Sequence, residues 1–441
     1  MRNKLLYEGA EQLEYEIRNI VKKAEQVAAL GQQIYWENIG DPIQKNAKIP
    51  EWIKDILTDL LKEDKSYGYC HSKGILETRQ FLTNRTNSLG GAQISPDDIL
   101  FFNGLGDAIS KLYQFLHPSS RIIGPSPAYA THSSAEAAHA NSAPLTYQLD
   151  PNNAWLPDFE DLYNKVKYNP NIVGILIINP DNPTGMVYPF ELLKKIVRLA
   201  REFDLMLISD EVYHNITYNG IESYRLAEIV EEIPGIALTG ISKQVPWPGA
   251  RCGWMEFYNR KTNKEFDQLC QTLEQAKMTE VCATTLPQRA IPKILGDTRY
   301  NEHRNRLNQE IGRRGKVISE ALGDIDYIHF NETNGAFYNT IVFKHGALKP
   351  NQYLSSPDSR IQMLLDQWIT DSMAHDQRFA YYLLAIEGVC VVPLSSFHSK
   401  LMGFRVTLLE EDEDLLKLIF AKIRKAILTY CQSADGKLQS V

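Results

Sequence analysis

The chain has 441 residues, 44% of them apolar, 23% charged and 10% aromatic, a make-up that excludes a disordered, fibrous or small disulfide-stapled protein. At about 150 residues per unit, that length allows two or three packed domains. Forty-seven basic against 54 acidic side chains leave a net charge of −7, so no overall positive field draws in nucleic acid or an anionic membrane.

The first residues, Met1 to Glu8, turn charged too soon for a signal peptide. The longest apolar run, Ile172 to Ile178, is far below the roughly 20 residues of a membrane helix, so a cytoplasmic location is expected. In chain order, Glu11–Leu30 predicts a helix that packs on the C-terminal part of the chain. From Asp97 onward, apolar runs alternate with amphipathic stretches. They predict strands at Ile99–Phe102, Arg121–Ile123, Ile172–Ile178, Leu205–Ser209, Ile236–Thr239 and Gly253–Phe257, with helices such as Phe190–Phe203 between them. That alternation means an α/β core with a mainly parallel sheet. After Tyr300 the pattern changes to a long charged helix through about Leu322, short strands near Tyr327–Phe330 and Phe337–Phe343, and the polar stretch Lys344–Ser359. Further helices, strands at Val389–Val392 and Phe404–Leu408, and a closing helix from Glu411 complete the chain. The expected division is a large α/β domain, residues 50–320, and a smaller α+β domain, residues 1–49 with 321–441. The tail from Ser433 is expected to fray.

Four motifs fall just after predicted strands, where ligands collect in an open α/β sheet. Gly104-Leu105-Gly106 opens a helix, Ala108–Leu116, and is either an anion site or a plain strand-to-helix turn. Asn179-Pro180-Asp181-Asn182-Pro183-Thr184-Gly185 is a loop by composition, but a long and specific one. Asp210-Glu211-Val212-Tyr213 offers a carboxylate and a phenol, although Asp210 would serve equally as a helix N-cap. Gly240-Ile241-Ser242-Lys243, with Arg251 eight residues on, sets a lysine between an apolar strand and a Pro/Gly loop, where desolvation favours a Schiff-base nucleophile. The six cysteines form no Cys-x-x-Cys pair and the ten histidines no metal-like pair, so no metal is expected. His132 and His139 read as ordinary helix surface.

Together, Tyr69, Gly104–Gly106, Tyr129, Asn182, Asp210, Tyr213, Ser242, Lys243, Arg251 and Arg405 occur in the order seen in class I/II aminotransferases, and the chain resembles that family over about residues 10–430. These are fold-type I enzymes dependent on pyridoxal phosphate (PLP). Tyr15-Glu16-Ile17-Arg18, Ile39-Gly40-Asp41-Pro42, Tyr69-Cys70-His71-Ser72-Lys73-Gly74 and Thr239-Gly240-Ile241-Ser242-Lys243 are most similar to the alanine (glutamate–pyruvate) aminotransferase group. The resemblance implies that Lys243 carries PLP covalently and shuttles the substrate Cα proton, and that Asp210 pairs with the pyridinium nitrogen. It implies Asn182 and Tyr213 on the ring's phenolate oxygen and Tyr129 on the ring face. Leu105, Gly106, Ser242 and Arg251 would hold the phosphate, with Tyr69 reaching it from the other subunit of a homodimer. Arg405 would grip the substrate α-carboxylate, and Gly40, Tyr15 and Arg18 would line the substrate.

Gln244-Val245-Pro246-Trp247-Pro248, the long segment Lys344–Arg378 and Leu394-Ser395-Ser396-Phe397 depart from the family pattern, and each bears on substrate preference. The expected activity is a ping-pong exchange of an amino group between a small, alanine-like amino acid and 2-oxoglutarate or glutamate. A β-lyase or decarboxylase on the same fold is the alternative. A ligand-sensing regulator is disfavoured, because the stretch before Tyr35 is too short for a DNA-binding domain and Lys243 is retained.

Overall fold

The run Ile172–Ile178 carries no polar side chain, so a strand made from it must be covered on both faces. The structure is a computed structural model that describes residues 5–13 and 17–433, without the side chains of residues 17 and 18. After β1 (Tyr35–Trp36), the chain builds a sheet of eight strands: β2 (Ile99–Phe102), β3 (Arg121–Ser126), β4 (Thr146–Asp150), β5 (Leu156–Pro157), β6 (Ile172–Ile178), β7 (Met206–Asp210), β8 (Gly235–Gly240) and β9 (Gly253–Tyr258). Their spatial order is β2-β9-β8-β7-β6-β3-β4-β5. The neighbours β8-β7-β6-β3-β4 run parallel, β9 is antiparallel to both β8 and β2, and β5 to β4.

Successive side chains of a strand point to opposite faces, and the two layers separate accordingly. Phe101, Ile175, Ile177, Leu207 and Ala237 enter one apolar cluster, with Leu193, Ile196 and Val197 of the helix Phe190–Glu202. Leu100, Phe102, Leu176, Ile178, Ile208 and Leu238 enter another, with Ile109 and Leu112 of the helix Leu105–Gln114.

Strand register decides where the motifs emerge. Asp210 lies opposite Ile178 on one side and Leu238 on the other, and Gly253 lies opposite both Gly240 and Phe102. The carboxyl ends of β2, β6, β7 and β8 therefore share one edge, and the segments after them meet there.

Over that edge lies a second, antiparallel sheet, order β10-β11-β14-β13, built from β10 (Ile328–His329), β11 (Tyr338–Phe343), β13 (Val392–Pro393) and β14 (Gly403–Thr407). The short strand β12 (Val389–Cys390) pairs instead with β1, in parallel. Ile20, Ala24 and Val27 line one face of the helix Ile17–Ala29 and pack in the same cluster as Phe404, Val406 and the C-terminal helix Glu413–Gln432. Among the described residues no helix is long and apolar enough to cross a membrane.

Several expectations need correcting. The N-terminal helix does not start at Glu11: Glu8–Gln12 is a separate turn of 3-10 helix, and the α-helix is described from Ile17. Gly9 explains the turn's position, because a Cβ there would fall 1.7 Å from the Ala138 carbonyl oxygen of the helix Ala130–Ala140. The expected strand Val389–Val392 divides at Val391, its halves joining different sheets. Strands β4 and β5 were not expected; the alternating polar residues of β4 and the two-residue length of β5 hide them from a search for apolar runs. The helix expected from Ala108 begins at Leu105, directly after Gly104, whose φ of 88° only glycine adopts without strain. The fraying expected from Ser433 concerns a tail that lies outside the described residues beyond Ser433 itself.

Candidate active site

Asp210, the last residue of β7, is buried and does not cap a helix; a turn follows it, and its Oδ1 accepts from the Val212 amide at 3.1 Å. Its Oδ2 lies 3.0 Å from Nε2 of His132, on the helix Ala130–Ala140. His132 is thus a buried partner of the carboxylate and not helix surface; His139 bonds the Ser120 carbonyl through Nε2 at 2.9 Å. Alternation sends the neighbouring Glu211 to the opposite side, where its Oε1 accepts from the Leu226 amide at 2.6 Å and burial pushes its carboxyl up to about 7.

Lys243 lies in the turn after β8. Its Nζ donates to the Gly40 carbonyl at 2.6 Å and stands 5.6 Å from the centre of the Phe337 ring, and it has no ion pair among the described residues. Gln244, which follows it, is firmly held: its buried side chain donates to the Gly240 carbonyl at 3.1 Å and accepts from Tyr300 Oη at 2.8 Å and from Asn215.

The loop after β6 docks on the small sheet. Thr340 of β11 donates to the Pro183 carbonyl at 2.8 Å, and a Cβ at Gly185 would meet the Tyr338 carbonyl oxygen at 2.2 Å. Within the loop, buried Asp181 Oδ2 accepts from the Thr184 amide at 3.0 Å, and burial pushes this carboxyl up to about 7. The turn so held presents Asn182, whose Oδ1 accepts from Arg405 Nη1 at 3.2 Å. Arg405, on β14, also donates through Nη2 to the Asn38 carbonyl at 2.8 Å; its guanidinium lies 4.4 Å from the Tyr338 ring centre and 5.3 Å from that of Phe397. Its Nε is buried without a hydrogen-bond partner. Tyr213 Oη and Tyr338 Oη are 3.1 Å apart, and burial raises the Tyr213 phenol well above its usual range.

Gly104 caps the helix Leu105–Gln114, whose first amides have no intrahelical acceptors. A Cβ at Gly104 would fall 2.6 Å from Arg251 Nη2, so the missing side chain is what lets the guanidinium close on this loop, while a Cβ at Gly106 would meet nothing within 4 Å. A helix N-terminus, an adjacent guanidinium and open space form a cradle for a phosphate. Tyr129 caps the helix that carries His132, their ring centres 6.3 Å apart. Ser242 directly precedes Lys243 in its turn, and Tyr69 is 86% exposed. Tyr15 and the Arg18 side chain lie outside the described residues.

The amine of Lys243 and the guanidinium of Arg405 are thus linked through residues 38–40 and through the paired rings of Phe337 and Tyr338, while the buried Asp210 carboxylate ends a neighbouring strand on the same sheet edge. Sequence reasoning missed His132, Tyr338, Asn38 and Phe337. Only His132 had a local signal, three residues past Tyr129 on a helix; Tyr338 meets Tyr213 across 125 positions of chain.

The family model for aminotransferase class I and II matches residues 38–420. An aminotransferase of Methanocaldococcus jannaschii, described as uncharacterized, is 49% identical over 427 residues, 97% of this chain and 99% of its own. The glutamate-pyruvate aminotransferase AlaA of Escherichia coli K12 is 30% identical over 316 residues, 70% of this chain and 76% of its own. The crystal structure of an aminotransferase from Escherichia coli matches with a TM-score of 0.84 at 26% identity, covering 98% of this chain and 100% of that one. An alanine aminotransferase from Pyrococcus furiosus matches with a TM-score of 0.83 at 24% identity, over 96% and 99% of the two chains, a likeness of fold.

Proposed function

The chain belongs to the class I and II aminotransferase family, a family of PLP-dependent enzymes, and from that premise we propose that it exchanges an amino group between a small, alanine-like amino acid and 2-oxoglutarate or glutamate. The observation that carries the reading is that one short segment receives both cations, Arg405 on the Asn38 carbonyl and Lys243 on the Gly40 carbonyl two residues on, while Asp210 ends the neighbouring strand β7 and Asn182 accepts from the guanidinium. The substrate class is supported by relatives named as glutamate-pyruvate and alanine aminotransferases, at 30% and 31% identity.

The residues fit the cofactor. Leu105 and Gly106 amides, Ser242 and Arg251 would hold its phosphate, Asp210 its ring nitrogen, Asn182 and Tyr213 its phenolate oxygen, and Tyr129 its ring face. When bound, PLP supplies an electron-withdrawing ring that stabilises the charge left on the substrate Cα after its proton is removed.

This chain's residues do the rest. Lys243 Nζ would hold the cofactor and would serve as the base and acid for the substrate Cα proton; the Gly40 carbonyl fixes where that nitrogen rests. Asp210, held by His132, would pair with the ring nitrogen and favour its protonated form. Arg405, placed by Asn38 and Asn182, binds the α-carboxylate shared by every amino acid and 2-oxo acid, so one site serves both halves of a ping-pong cycle. Tyr15 and Arg18 would contact the substrate's side-chain end. The exposure of Tyr69 supports its reaching the phosphate site of a second copy in a homodimer.

The test is a panel of amino acids added singly to the purified enzyme while the cofactor spectrum is followed. Alanine and glutamate should each convert the cofactor to its aminated form and release a 2-oxo acid. Carbon dioxide or ammonia as the product would assign a decarboxylase or lyase instead.

A further inference from the structure

The chain leaves β1 at Trp36, passes the site with Asn38 and Gly40, and turns back at Lys45. Three contacts tie this path down: Glu37 Oε2 accepts from Thr407 Oγ1 at 2.9 Å, the Asn38 carbonyl from Arg405 Nη2 at 2.8 Å, and the Gly40 carbonyl from Lys243 Nζ at 2.6 Å. Arg405 and Thr407 are two apart on β14 and so leave the same face of that strand, and the segment lies along this face in one register. Lys45 closes the path: its ammonium is 2.9 Å from Glu37 Oε1, 3.2 Å from the Trp36 carbonyl and 3.6 Å from Glu410 Oε2. Glu37 is 0% exposed and Lys45 7%.

Removing two charges from water is expensive, and an apolar pair of similar volume would hold a loop at least as firmly. What the charged pair adds is direction. Both carboxylate oxygens of Glu37 are spoken for, one by Lys45 at the far end of the loop and one by Thr407 of β14, so the backbone between residues 37 and 45 has little freedom to slide along β14. Burial pushes the Glu37 carboxyl above the usual range and the Lys45 ammonium opposes that push. Asn38, next in the chain, delivers the carbonyl that anchors one end of the Arg405 guanidinium.

We propose that Glu37 and Lys45 form a clasp that positions Arg405 for the substrate carboxylate, acting through the Asn38 carbonyl. This rests on the reading of Arg405 as the carboxylate-binding arginine. Neither Glu37 nor Lys45 touches substrate; they set the geometry of the group that does. Glu37→Gln keeps the shape and can still accept from Thr407, but it removes the charge that holds Lys45.

The experiment is a double-mutant cycle on the holoenzyme. Its readouts are KM and kcat for alanine and 2-oxoglutarate, and the affinity for propionate, a carboxylate without an amine, by calorimetry. Glu37→Gln is expected to raise both KM values and the propionate Kd together, about tenfold, with kcat changed far less. Arg405→Ala should weaken propionate more strongly, and Glu37→Gln added to it should cost less than about twofold more, since the clasp then has nothing to position. Unchanged KM and propionate affinity in Glu37→Gln, or full additivity with Arg405→Ala, overturns the clasp while the Arg405 reading stands. Normal propionate binding by Arg405→Ala overturns both. Thr407→Val, which removes only the hydroxyl on Glu37, carries the same test if Glu37→Gln does not fold.

Discussion

His132 Nε2 and Asp210 Oδ2 stand 3.0 Å apart, both side chains almost fully withdrawn from water, so the carboxylate at the end of a central strand is braced by a helix that lies across it. A carboxylate held this way keeps one orientation toward whatever occupies the cleft. Asp210→Asn should keep the fold yet slow proton removal from the substrate by several powers of ten, because the ring nitrogen loses its ionic partner. His132→Ala should cost less, roughly ten- to a hundredfold, the scale for a group that orients another. Stopped-flow absorbance with alanine measures both; a near-normal rate for Asp210→Asn would leave that residue a structural role only.

Lys243→Ala should abolish turnover and leave cofactor held only noncovalently. Borohydride reduction followed by mass spectrometry of peptides decides it. Cofactor mass found on another lysine of the variant would move the covalent site.

Arg405→Ala should weaken all substrates alike, since every one carries the same α-carboxylate. Arg18→Ala should weaken them unequally, glutamate more than alanine, if it meets the side-chain end. Single-turnover constants for the two donors separate the cases; equal losses in Arg18→Ala would remove it from the site.

A Cβ at Gly40 would fall 2.1 Å from Tyr338 Oη, a clash with a side chain that is itself engaged by Tyr213. Gly40→Ala should therefore lower kcat/KM by about tenfold or more. Combining it with Tyr338→Phe, which deletes the colliding oxygen, should recover part of the loss. A double variant no better than Gly40→Ala would place the damage in the backbone.

The Asp181 carboxyl titrates at about 7 in the fold because it is buried, against roughly 4 in an unfolded chain. Between those values the native state binds more protons, so the contribution of Asp181 to stability falls as pH rises through this window and stays low above it. Asp181→Asn can keep the acceptor for the Thr184 amide without the ionisation cost. Its thermal midpoint, relative to the parent, should gain more near about pH 8 than near about pH 5. An equal gain at both would mean that Asp181 ionises in the fold as it does in water.

Much of the architecture was legible because β6, β7 and β8 are buried on both faces and so are written as apolar runs with glycine, asparagine or aspartate at their ends. The motifs after those strands meet because the strands are parallel and in register, something alternation with helices already implies. What could not be read were partners fixed by packing between distant segments: Tyr338 on Tyr213, Asn38 on Arg405, His132 on Asp210. Polar and half-buried strands such as β4 were lost for the same reason, since their signal is in their neighbours and not in themselves. Gln244 shows the converse. Its segment reads in the sequence as a departure from the family pattern, yet the side chain is anchored through Tyr300, a contact no local sequence feature announces.

The opposite fates of Asp210 and Glu211 make the central strand a parity device. Both are carboxylates, adjacent in the chain; one faces His132 and the cleft, the other the Leu226 amide behind the sheet. Deleting or inserting a single residue within Met206–Ser209 would exchange them, presenting a longer acid to the cleft and inverting every apolar side chain of β7 besides. Length changes in such a chain are therefore confined to even steps within the strand or, far more cheaply, to connections away from the ladder. The segment between Lys344 and Arg378, which lies outside the large sheet, is a connection of that kind, where added length would leave the count undisturbed.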